Sequence, residues 1–338
     1  MVTIRDVARA AGVSTATVSR ALADPARVAE PTRTRVNEAC DRLGYIPNRA
    51  ASGLRARRTN TIGLLVPDLS NPYFSTLSRG VASVARSQRH RMGVFVSDSQ
   101  EDPDAEQELL EGLLQQTDGI VLAAPRSIDE NYPRLREKPL VLVNYRVEDV
   151  PCVTVDDVLG MRDAIDHLYD LGHRRVVYVG GPSTSWTDKN RREGAVLAAA
   201  ERDDLELVQV GAFSPTVDGG HAAAGVALAT RATAVVAFND FQAIGIVRRF
   251  QALGLRVPHD VSVVGHDDTY LAALVAPALT TVHGETEEVG ERSTELLIEL
   301  LTSSRGRSLD RILRLPPRLV VRDSTAPPPA LLAAPRPV

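Results

Sequence analysis

The chain has 338 residues, a length typical of two or three domains, and 43% of them are hydrophobic, which is enough for extended buried cores. No apolar run approaches the ~18 residues that cross a bilayer, and the N-terminal residues lack the basic and apolar regions of a secretory signal, so we expect a cytoplasmic protein without a membrane partner. The two cysteines lie far apart, and the seven histidines form no i, i+4 pair beside a carboxylate. We therefore expect no disulfide framework, no metal site and no cofactor.

Charge is unevenly distributed along the chain. Residues 1–60 contain 11 arginines and 5 acidic residues, a net charge of +6, whereas the remaining 278 residues carry a net charge of −10. A small basic region on an acidic body is typical of a nucleic-acid-binding module joined to another domain. Chance clustering on a solvated surface would give the same count, so charge alone leaves both interpretations open.

The first 23 residues have the pattern of two short helices around a tight turn. Thr3 and Asp6 have the spacing of a capping box, and Gly12 interrupts the apolar spacing of the first helix. Ser14 can cap a second helix over residues 15–23. Two short helices joined by a glycine-containing turn form a helix-turn-helix, whose second helix enters the major groove of DNA.

The second helix has one apolar face and one polar face. Val18, Ala21 and Leu22 share the face that would pack on the first helix. The residues expected to contact DNA lie on the other side or in the preceding turn: Ser14, Thr15, Ala16, Thr17, Ser19 and Arg20. Thr15 can bond a base edge or touch a thymine methyl, and Arg20 can pair with guanine or hold a phosphate. A helical hairpin that serves only for packing is the alternative.

A third helix is predicted from about Thr32 to Leu43. Pro31 suits its first turn and Gly44 suits its end. Its apolar stripe contains Val36, Ala39, Cys40 and Leu43. Cys40 is therefore predicted to fill a core and not to be a reactive thiol, and the three helices together form an all-α head.

From Thr61 onward, apolar runs alternate with amphipathic stretches. The runs predicted as buried strands form two sets: IGLLVPD, MGVFVSDS, GIVLAAP and LVLVNY, then RVVYVGG, LVQVGAF, AVVAFND and VSVVGHDD. Helices are predicted at about 74–89, 103–116, 159–171, 188–202, 218–229, 241–253 and 286–302. This alternation favours an α/β body with doubly wound parallel sheets, and its repetition favours two similar lobes. In such sheets ligands bind beyond the carboxyl ends of the strands.

The loops at the strand ends combine polar and aromatic side chains. PDLSNPYF, FNDF and GHDD follow three of the strands, and Tyr73, Phe74, Trp186 and Phe213 are four of the 14 aromatic residues. Aromatic faces beside carboxylates, amides and arginines suit a sugar, whose CH face stacks while its hydroxyls need polar partners. The alternative is that the polar residues cap helices and the aromatic residues belong to the core.

Two segments, TIRDVARAAGVSTATVSRAL and GYIPNRAASGLR, resemble the head of the LacI/GalR family of bacterial transcription regulators, and the resemblance continues to about residue 322. It implies that the arginine-rich segment after Pro47 is a hinge helix that folds on DNA, pairs with its copy in a homodimer and wedges Leu54 into the minor groove. Further DNA contacts are expected from Thr3, Asn48, Arg49 and Arg55. Gly53 disfavours the hinge helix, and a plain flexible linker is the alternative.

The same resemblance implies a periplasmic-binding-protein-like body, in which two lobes joined by three crossovers close around a small effector. With Trp186 from the loop analysis, the residues expected to bind it are Tyr73, Phe74, Asn144, Lys189, Arg191, Phe213, Asn239 and Asp267. Asn144 stands where an aspartate is common, and Lys189 stands where many sugar-binding members have arginine. Lysine lacks the planar two-pronged grip of arginine, so these departures leave the identity of the effector open.

The chain lacks the motifs of common enzymes. No GxGxxG or Walker loop follows a strand, and no serine lies on a GxSxG elbow. His266, in GHDD, is predicted to be a pocket-wall or core residue and not a base. We expect no catalytic residue.

The predicted organisation is a DNA-binding domain at residues 1–46, a hinge at 47–60, an effector-binding and dimerisation body at 61–322 and a disordered tail at 323–338. The predicted function is a homodimeric repressor of a pseudo-palindromic operator, controlled by a sugar acting as inducer. A co-repressor or another effector, an effector-independent DNA binder and a solute-binding protein for transport are the alternatives. The operator, the effector and any higher oligomer stay open.

Overall fold

The computed structural model describes residues 2–23, 27–45, 59–128, 137–302 and 311–329. The chain divides into two compact units, residues 1–60 and 61–338. The predicted hinge contacts Asn48, Arg49, Leu54 and Arg55 lie outside the described residues, as does the end of the predicted tail from residue 330 onward. Within the described ranges, no helix is long and apolar enough to span a membrane.

The described residues of the first unit form three helices. These are α1 (Ile4–Ala11), α2 (Thr15–Ala23) and α3 (Glu30–Leu43). The bounds of α2 are as predicted, whereas α3 begins two residues earlier than predicted, with Pro31 in its first turn. The side chains buried between the three helices are Val7, Ala8, Ala11, Val18, Ala21, Val36, Ala39 and Cys40. Cys40 is thus a core residue, as predicted, and burial raises the pKa of its thiol.

Side-chain caps fix the ends of the first two helices. The Asp6 carboxylate accepts hydrogen bonds from the backbone nitrogen of Thr3 at 2.9 Å and from its hydroxyl at 2.7 Å. Gly12 has φ +65°, a left-handed conformation that glycine adopts without steric cost. The Ser14 hydroxyl accepts from the backbone nitrogen of Thr17 at 3.1 Å. The predicted helix–turn–helix therefore has the predicted capping residues.

The second unit is an α/β body. Its strands are β1 (Thr61–Val66), β2 (Gly93–Asp98), β3 (Gly119–Ala123), β4 (Leu140–Val143), β5 (Cys152–Val155), β6 (Arg175–Val179), β7 (Glu206–Val210), β8 (Ala234–Ala237), β9 (Ser262–His266), β10 (Thr280–His283), β11 (Ile312–Leu315) and β12 (Arg318–Val320). Its helices are α4 (Pro72–Arg86), α5 (Pro103–Gln116), α6 (Asp157–Asp170), α7 (Trp186–Ala200), α8 (Val217–Ala229), α9 (Asp240–Ala252), α10 (Tyr270–Leu274) and α11 (Thr286–Thr302). The eight predicted strands and seven predicted helices are all present. Within the described residues, the elements that the sequence did not predict are short: β5, β10, β11, β12 and α10.

The strands form two six-stranded sheets. The first has the order β11-β5-β4-β3-β1-β2 and is wholly parallel, and the second has the order β12-β10-β9-β8-β6-β7 with β12 antiparallel. Helices cover both faces of each sheet: for example, Leu64 of β1 packs on the side of α4 and α11, whereas its neighbour Leu65 packs on the side of α5. Burial on both faces explains why the strands are continuous apolar runs.

The chain passes between the two lobes three times, as predicted. It crosses from β5 to α6 between Val155 and Asp157, from β10 to α11 between His283 and Thr286, and from β11 to β12 between Leu315 and Arg318. All three of these crossovers leave a carboxyl end of a strand. The loops that follow the other strands therefore face each other across the gap between the lobes.

The prediction that residues 323–338 are disordered is wrong for residues 323–329. Ser324 is fully buried, and its hydroxyl accepts from the backbone nitrogen of Thr280 at 2.8 Å and donates to the carbonyl of Val263. Ala326 bonds through its backbone to the Ser262 hydroxyl at 3.1 Å. The proline and alanine content of the segment predicts disorder, but composition carries no information about hydrogen bonds to the ends of distant strands. The prediction therefore fails where such bonds hold the segment.

We expect Ser324→Ala to lower the free energy of unfolding by about 1–3 kcal/mol, because it leaves buried backbone groups of Val263 and Thr280 without this partner. Urea denaturation followed by circular dichroism measures the change. Ser183→Ala, at an exposed position, is the matched control and should leave stability unchanged. Equal stability of the two variants would show that the segment around Ser324 is not docked.

Candidate functional site

The outer face of α2 presents the side chains predicted to read DNA. Thr15, Ala16 and Arg20 are exposed, and neither Thr15 nor Arg20 makes a hydrogen bond or ion pair within the described part of the head. Ser14 and Thr17 bond each other through their hydroxyls at 2.9 Å, so they also build the start of the helix. Within the described head, Thr15 and Arg20 therefore keep free donors on this surface.

Thr3 and Ser19 complete the predicted DNA contacts within the described part of the head. Thr3 is exposed, but its hydroxyl donates to Asp6. Ser19 is half-buried on α2. Thr3 thus has a structural role at the start of α1 in addition to any contact it makes with DNA.

A cavity of about 420 Å³, its open mouth included, lies between the lobes of the body. The first lobe lines it with Asp68, Asn71, Tyr73, Phe74, Glu101, Ala124, Arg126 and Asn144. The second lobe lines it with Thr187, Arg191, Pro215, Phe238, Asn239 and Asp267. The structure thus brings together Tyr73, Phe74, Asn144, Arg191, Asn239 and Asp267 from the predicted effector site.

Three predicted effector residues do not line the cavity. Trp186 is half-buried at the first position of α7, Lys189 is exposed, and Phe213 packs on the core of the second lobe. Lys189 lies two residues before Arg191, which places it roughly 200° away around the helix. Because Arg191 faces the cavity, Lys189 faces solvent. Phe238 supplies the aromatic face that was expected from Phe213.

The wall from the first lobe is organised around Tyr73. Asn71 caps α4 by accepting from the backbone nitrogen of Tyr73 at 3.0 Å, and the rings of Tyr73 and Phe74 meet edge to face at 5.1 Å. The side-chain nitrogen of Asn144 donates to the Tyr73 hydroxyl oxygen at 2.6 Å. Burial raises the pKa of Tyr73, so its neutral hydroxyl keeps a proton to donate.

The wall from the second lobe is organised around Arg191, whose side chain is only 5% exposed. Its Nε donates to Asp157 at 2.8 Å, its Nη2 donates to Asp267 at 3.2 Å, and its Nη1 donates to the carbonyl of Phe238. Burial opposes the charge of Arg191, but the two carboxylates outweigh it and raise its pKa. One buried cation thus joins the cavity to Asp157, where the first crossover enters α6.

His266 lies behind this ion pair. It is buried, with Nδ1 at 3.3 Å from Asp267 and Nε2 at 3.5 Å from Asp157. Burial lowers the pKa of His266, which keeps the ring neutral near pH 7. The residue is not among those that line the cavity, in agreement with the prediction that it belongs to the wall or core.

The loop that carries Asp267 is held by a buried carboxylate that the sequence analysis did not single out. Asp267 and Asp268 have φ +107° and +49°, conformations that need support from their surroundings. The next residue, Thr269, donates to Asp240 from its backbone nitrogen at 2.7 Å and from its hydroxyl at 3.0 Å. Thr281 donates to the same carboxylate at 2.6 Å. Burial raises the pKa of Asp240 to about 8.

Arg126 and Glu101 are the main lining residues that the sequence analysis missed. Each follows a strand of the first sheet, and they form a two-pronged ion pair at 2.7 and 3.1 Å. The rule that ligands bind at the carboxyl ends of strands could have indicated both residues. Arg126, for example, directly follows the predicted strand segment GIVLAAP. Within the described ranges, no group of three or more acidic, cysteine or histidine side chains could hold a metal ion.

Comparison with known proteins places the chain in a family. Residues 3–48 match the model described as bacterial regulatory proteins, lacI family, and residues 165–325 match the periplasmic binding protein-like domain. The chain is 34% identical to the HTH-type transcriptional regulator DegA of Bacillus subtilis strain 168, over 96% of this chain and 98% of that protein. The chain belongs to the lacI family of bacterial regulators. It is therefore a DNA-binding transcription regulator with a helix-turn-helix head.

Solved structures show the same fold for this LacI-family regulator. The lac repressor dimer bound to operator and the anti-inducer ONPF superposes with a TM-score of 0.83 at 28% identity, covering 96% of this chain and 99% of that one. A LacI family transcriptional regulator from Enterococcus faecium with bound ribose gives a TM-score of 0.70 at 28% identity, covering 79% and 99%. The predicted helical head and two-lobed α/β body are confirmed.

We expect Arg191→Ala to lower the free energy of unfolding of this regulator by about 3–5 kcal/mol, because it leaves the buried Asp157 without its cation. Lys189→Ala removes the same charge from the exposed side of the same helix and should change stability by less than about 0.5 kcal/mol. Urea denaturation of both variants makes the comparison. Similar stabilities would mean that Arg191 does not hold the two carboxylates.

Proposed function

We propose that this LacI-family regulator is a homodimeric repressor whose affinity for a pseudo-palindromic operator is lowered by a sugar bound between its lobes. The observation that carries the proposal is the position of Arg191. It bonds Asp267 in the cavity and Asp157 at the first crossover with one buried guanidinium. A ligand that bonds to Asp267 or to Arg191 in the cavity thereby acts on the first crossover, which connects the lobes.

The cavity has the chemistry that a sugar requires. Phe74 and Phe238 line the cavity with aromatic rings, while Asn144, Asp267 and Arg191 line it with donors and acceptors. A sugar presents an apolar CH face and hydroxyls that both donate and accept, so it can satisfy both kinds of surface. The regulator from Enterococcus faecium, which shares this fold, was solved with ribose.

DNA recognition is assigned to α2 and its preceding turn. Thr15 and Arg20 have uncommitted donors, and Ala16 leaves room for close approach to a base. Ser14, Thr17 and Ser19 flank them, and Thr3 adds a contact from the start of α1. We assign the minor-groove contacts to Asn48, Arg49, Leu54 and Arg55, whose sequence matches the hinge of the family.

Exposed apolar side chains on both lobes support a homodimer. Phe95 and Val96 lie on the edge strand β2 with 50% and 43% exposure, and Tyr270 and Leu274 on α10 are 65% and 73% exposed. Clustered exposed apolar surface of this kind is typical of interfaces, and an unpaired edge strand needs cover. Pairing two copies would place two heads on the two halves of an operator.

The effector controls DNA affinity only if it binds the two states of the protein unequally. Hydrogen bonds from sugar hydroxyls to Asp267 change the strength of the bond between Asp267 and Arg191. This change favours one arrangement of the lobes. We assign the sugar-bound arrangement to the state with lower operator affinity. Coupling of this kind typically changes affinity by about 5–150-fold.

The experiment uses the full-length protein. Selection from random duplex DNA supplies an operator, and a thermal-shift screen with neutral sugars supplies a ligand, since a ligand at ~100 times its Kd stabilises by ~2.7 kcal/mol. Fluorescence anisotropy then measures operator affinity with and without that sugar. Weaker DNA binding supports the proposal. Tighter binding identifies a co-repressor, and a screen in which no sugar stabilises the protein contradicts the proposal.

We expect Asp267→Asn to remove most of the sugar response while leaving operator affinity without sugar within about twofold of wild type. The change removes a carboxylate acceptor from the cavity but retains the pair between Arg191 and Asp157. Asp203→Asn, an exposed position outside the cavity, is the matched control. A normal sugar response of Asp267→Asn would move the effector site elsewhere.

We expect Arg20→Ala to weaken operator binding by about 1–3 kcal/mol, because a base-pairing arginine is lost. Arg42→Ala makes the same charge change on the exposed surface of α3 and reports the general electrostatic effect. Anisotropy titrations against the selected operator and a scrambled duplex separate the two. Equal losses in both variants would remove Arg20 from base recognition.

A further inference from the structure

We propose that the cavity selects an uncharged polyhydroxyl effector and rejects a phosphorylated one, because its arginines are already neutralised by carboxylates of the protein. The inference rests on the proposed function and specifies the charge of the ligand. Sugars and sugar phosphates share their ring chemistry, so the distinction depends on whether the cavity offers an unpaired cation.

Arg126 is the cation from the first lobe, and Glu101 neutralises it. Two parallel hydrogen bonds at 2.7 and 3.1 Å join the guanidinium to the carboxylate, and Nη1 donates to the carbonyl of Ala124 at 2.7 Å. The side chain of Arg126 is 6% exposed. Two-pronged pairs of this kind are the stronger ion pairs, particularly where solvent is excluded.

The main chain at Arg126 is also held by hydrogen bonds, which limits movement of the guanidinium away from Glu101. The buried carboxylate of Glu106 accepts from the backbone nitrogen of Arg126 at 2.8 Å and from the backbone nitrogen and hydroxyl of Ser127 at 3.0 and 2.7 Å. A loop anchored at successive residues holds its side chains in place. Arg126 is therefore presented to the cavity already paired with Glu101.

Arg191 is the cation from the second lobe, and two carboxylates share it. Asp157 lies behind it and Asp267 lies beside it in the cavity. Lys189, the further cation that the sequence suggested, is exposed on the other side of α7. Among the described residues of the cavity, neither arginine is thus left to neutralise a ligand.

The remaining charge of the cavity is negative. Asp68 adds a third carboxylate to those of Glu101 and Asp267 in the lining, against the two arginines. A phosphate would bring negative charge next to these carboxylates with no unpaired cation to offset it, which costs electrostatic free energy.

Hydroxyl groups match the same arrangement. A guanidinium has five N–H donors, and three of them are used in Arg126 and three in Arg191. The remaining donors can each meet a hydroxyl oxygen, and the same hydroxyl can donate to Asp68 or Asp267. The phosphate group of a sugar phosphate, as a dianion, only accepts hydrogen bonds, so it offers no donor to the carboxylates.

The decisive probe is inorganic phosphate added to the full-length protein, with sodium chloride of equal ionic strength as the reference. Isothermal titration calorimetry compares wild type, Glu101→Gln and the control Glu108→Gln, an exposed position on α5. We expect no saturable phosphate binding by the body of wild type or Glu108→Gln. We expect Glu101→Gln to bind phosphate saturably, with a Kd roughly tenfold below the weakest that the titration could detect for wild type, and Arg126→Ala in that background to abolish the binding.

Two results would overturn the inference: phosphate binding by wild type that Arg126→Ala removes, and no gain in Glu101→Gln. All variants share the basic head, so subtracting the wild-type titration removes the heat of phosphate binding there. This arm does not require that the effector be a sugar.

A second arm uses wild type alone and thus does not depend on the folding of a variant. Thermal shifts compare glucose, ribose and trehalose with their phosphates. We expect any ligand that stabilises the protein to be the neutral member of its pair, and tighter binding of a phosphorylated member overturns the inference. If neither member of any pair binds, the proposed sugar response fails and the phosphate titration decides the charge inference by itself.

Discussion

One buried ion cluster constrains the whole body: the Arg191 guanidinium shared by Asp157 and Asp267. Its three members come from α7, from the start of α6 after the first crossover and from the end of β9. A buried charge without its partner is strongly destabilising, so none of the three can be lost without cost. The cavity wall and the residue at which the first crossover enters α6 are therefore joined in one ion cluster.

Buried carboxylates with neutral donors hold the loops around this cluster. Asp240 fixes the Asp267 loop through Thr269 and Thr281, and Glu106 fixes the loop that presents Arg126. Such groups add little net stability, but leaving one unsatisfied is expensive, so they specify a single loop conformation. The geometry of the cavity is thus set by polar groups that are already satisfied within the protein. This arrangement leaves a small set of free donors and acceptors for a ligand.

Periodicity predicted the long helices and strands, and family resemblance predicted much of the cavity. Neither carries information about which residues far apart in the sequence pair with each other. Strands such as β1 and helices such as α11 have strong apolar patterns, whereas β12 has three residues and is defined only by its pairing with β10. Family resemblance assigns Lys189 to the site, and helix geometry places it outside. The pair of Arg126 and Glu101 joins residues 25 positions apart and requires the fold to be known. The burial of Ser324 was not predicted because its segment has the composition of a disordered tail.

In the proposed function, a ligand between the lobes and an operator on the heads bind to different states of one protein. Calorimetric titration of the stabilising sugar into free protein and into operator-saturated protein compares its affinity for the two states. We expect the sugar to bind the operator complex about 5–150-fold more weakly than the free protein. Equal affinity for the free and the operator-bound protein would show that the sugar does not control operator binding, since a ligand without differential affinity shifts no equilibrium.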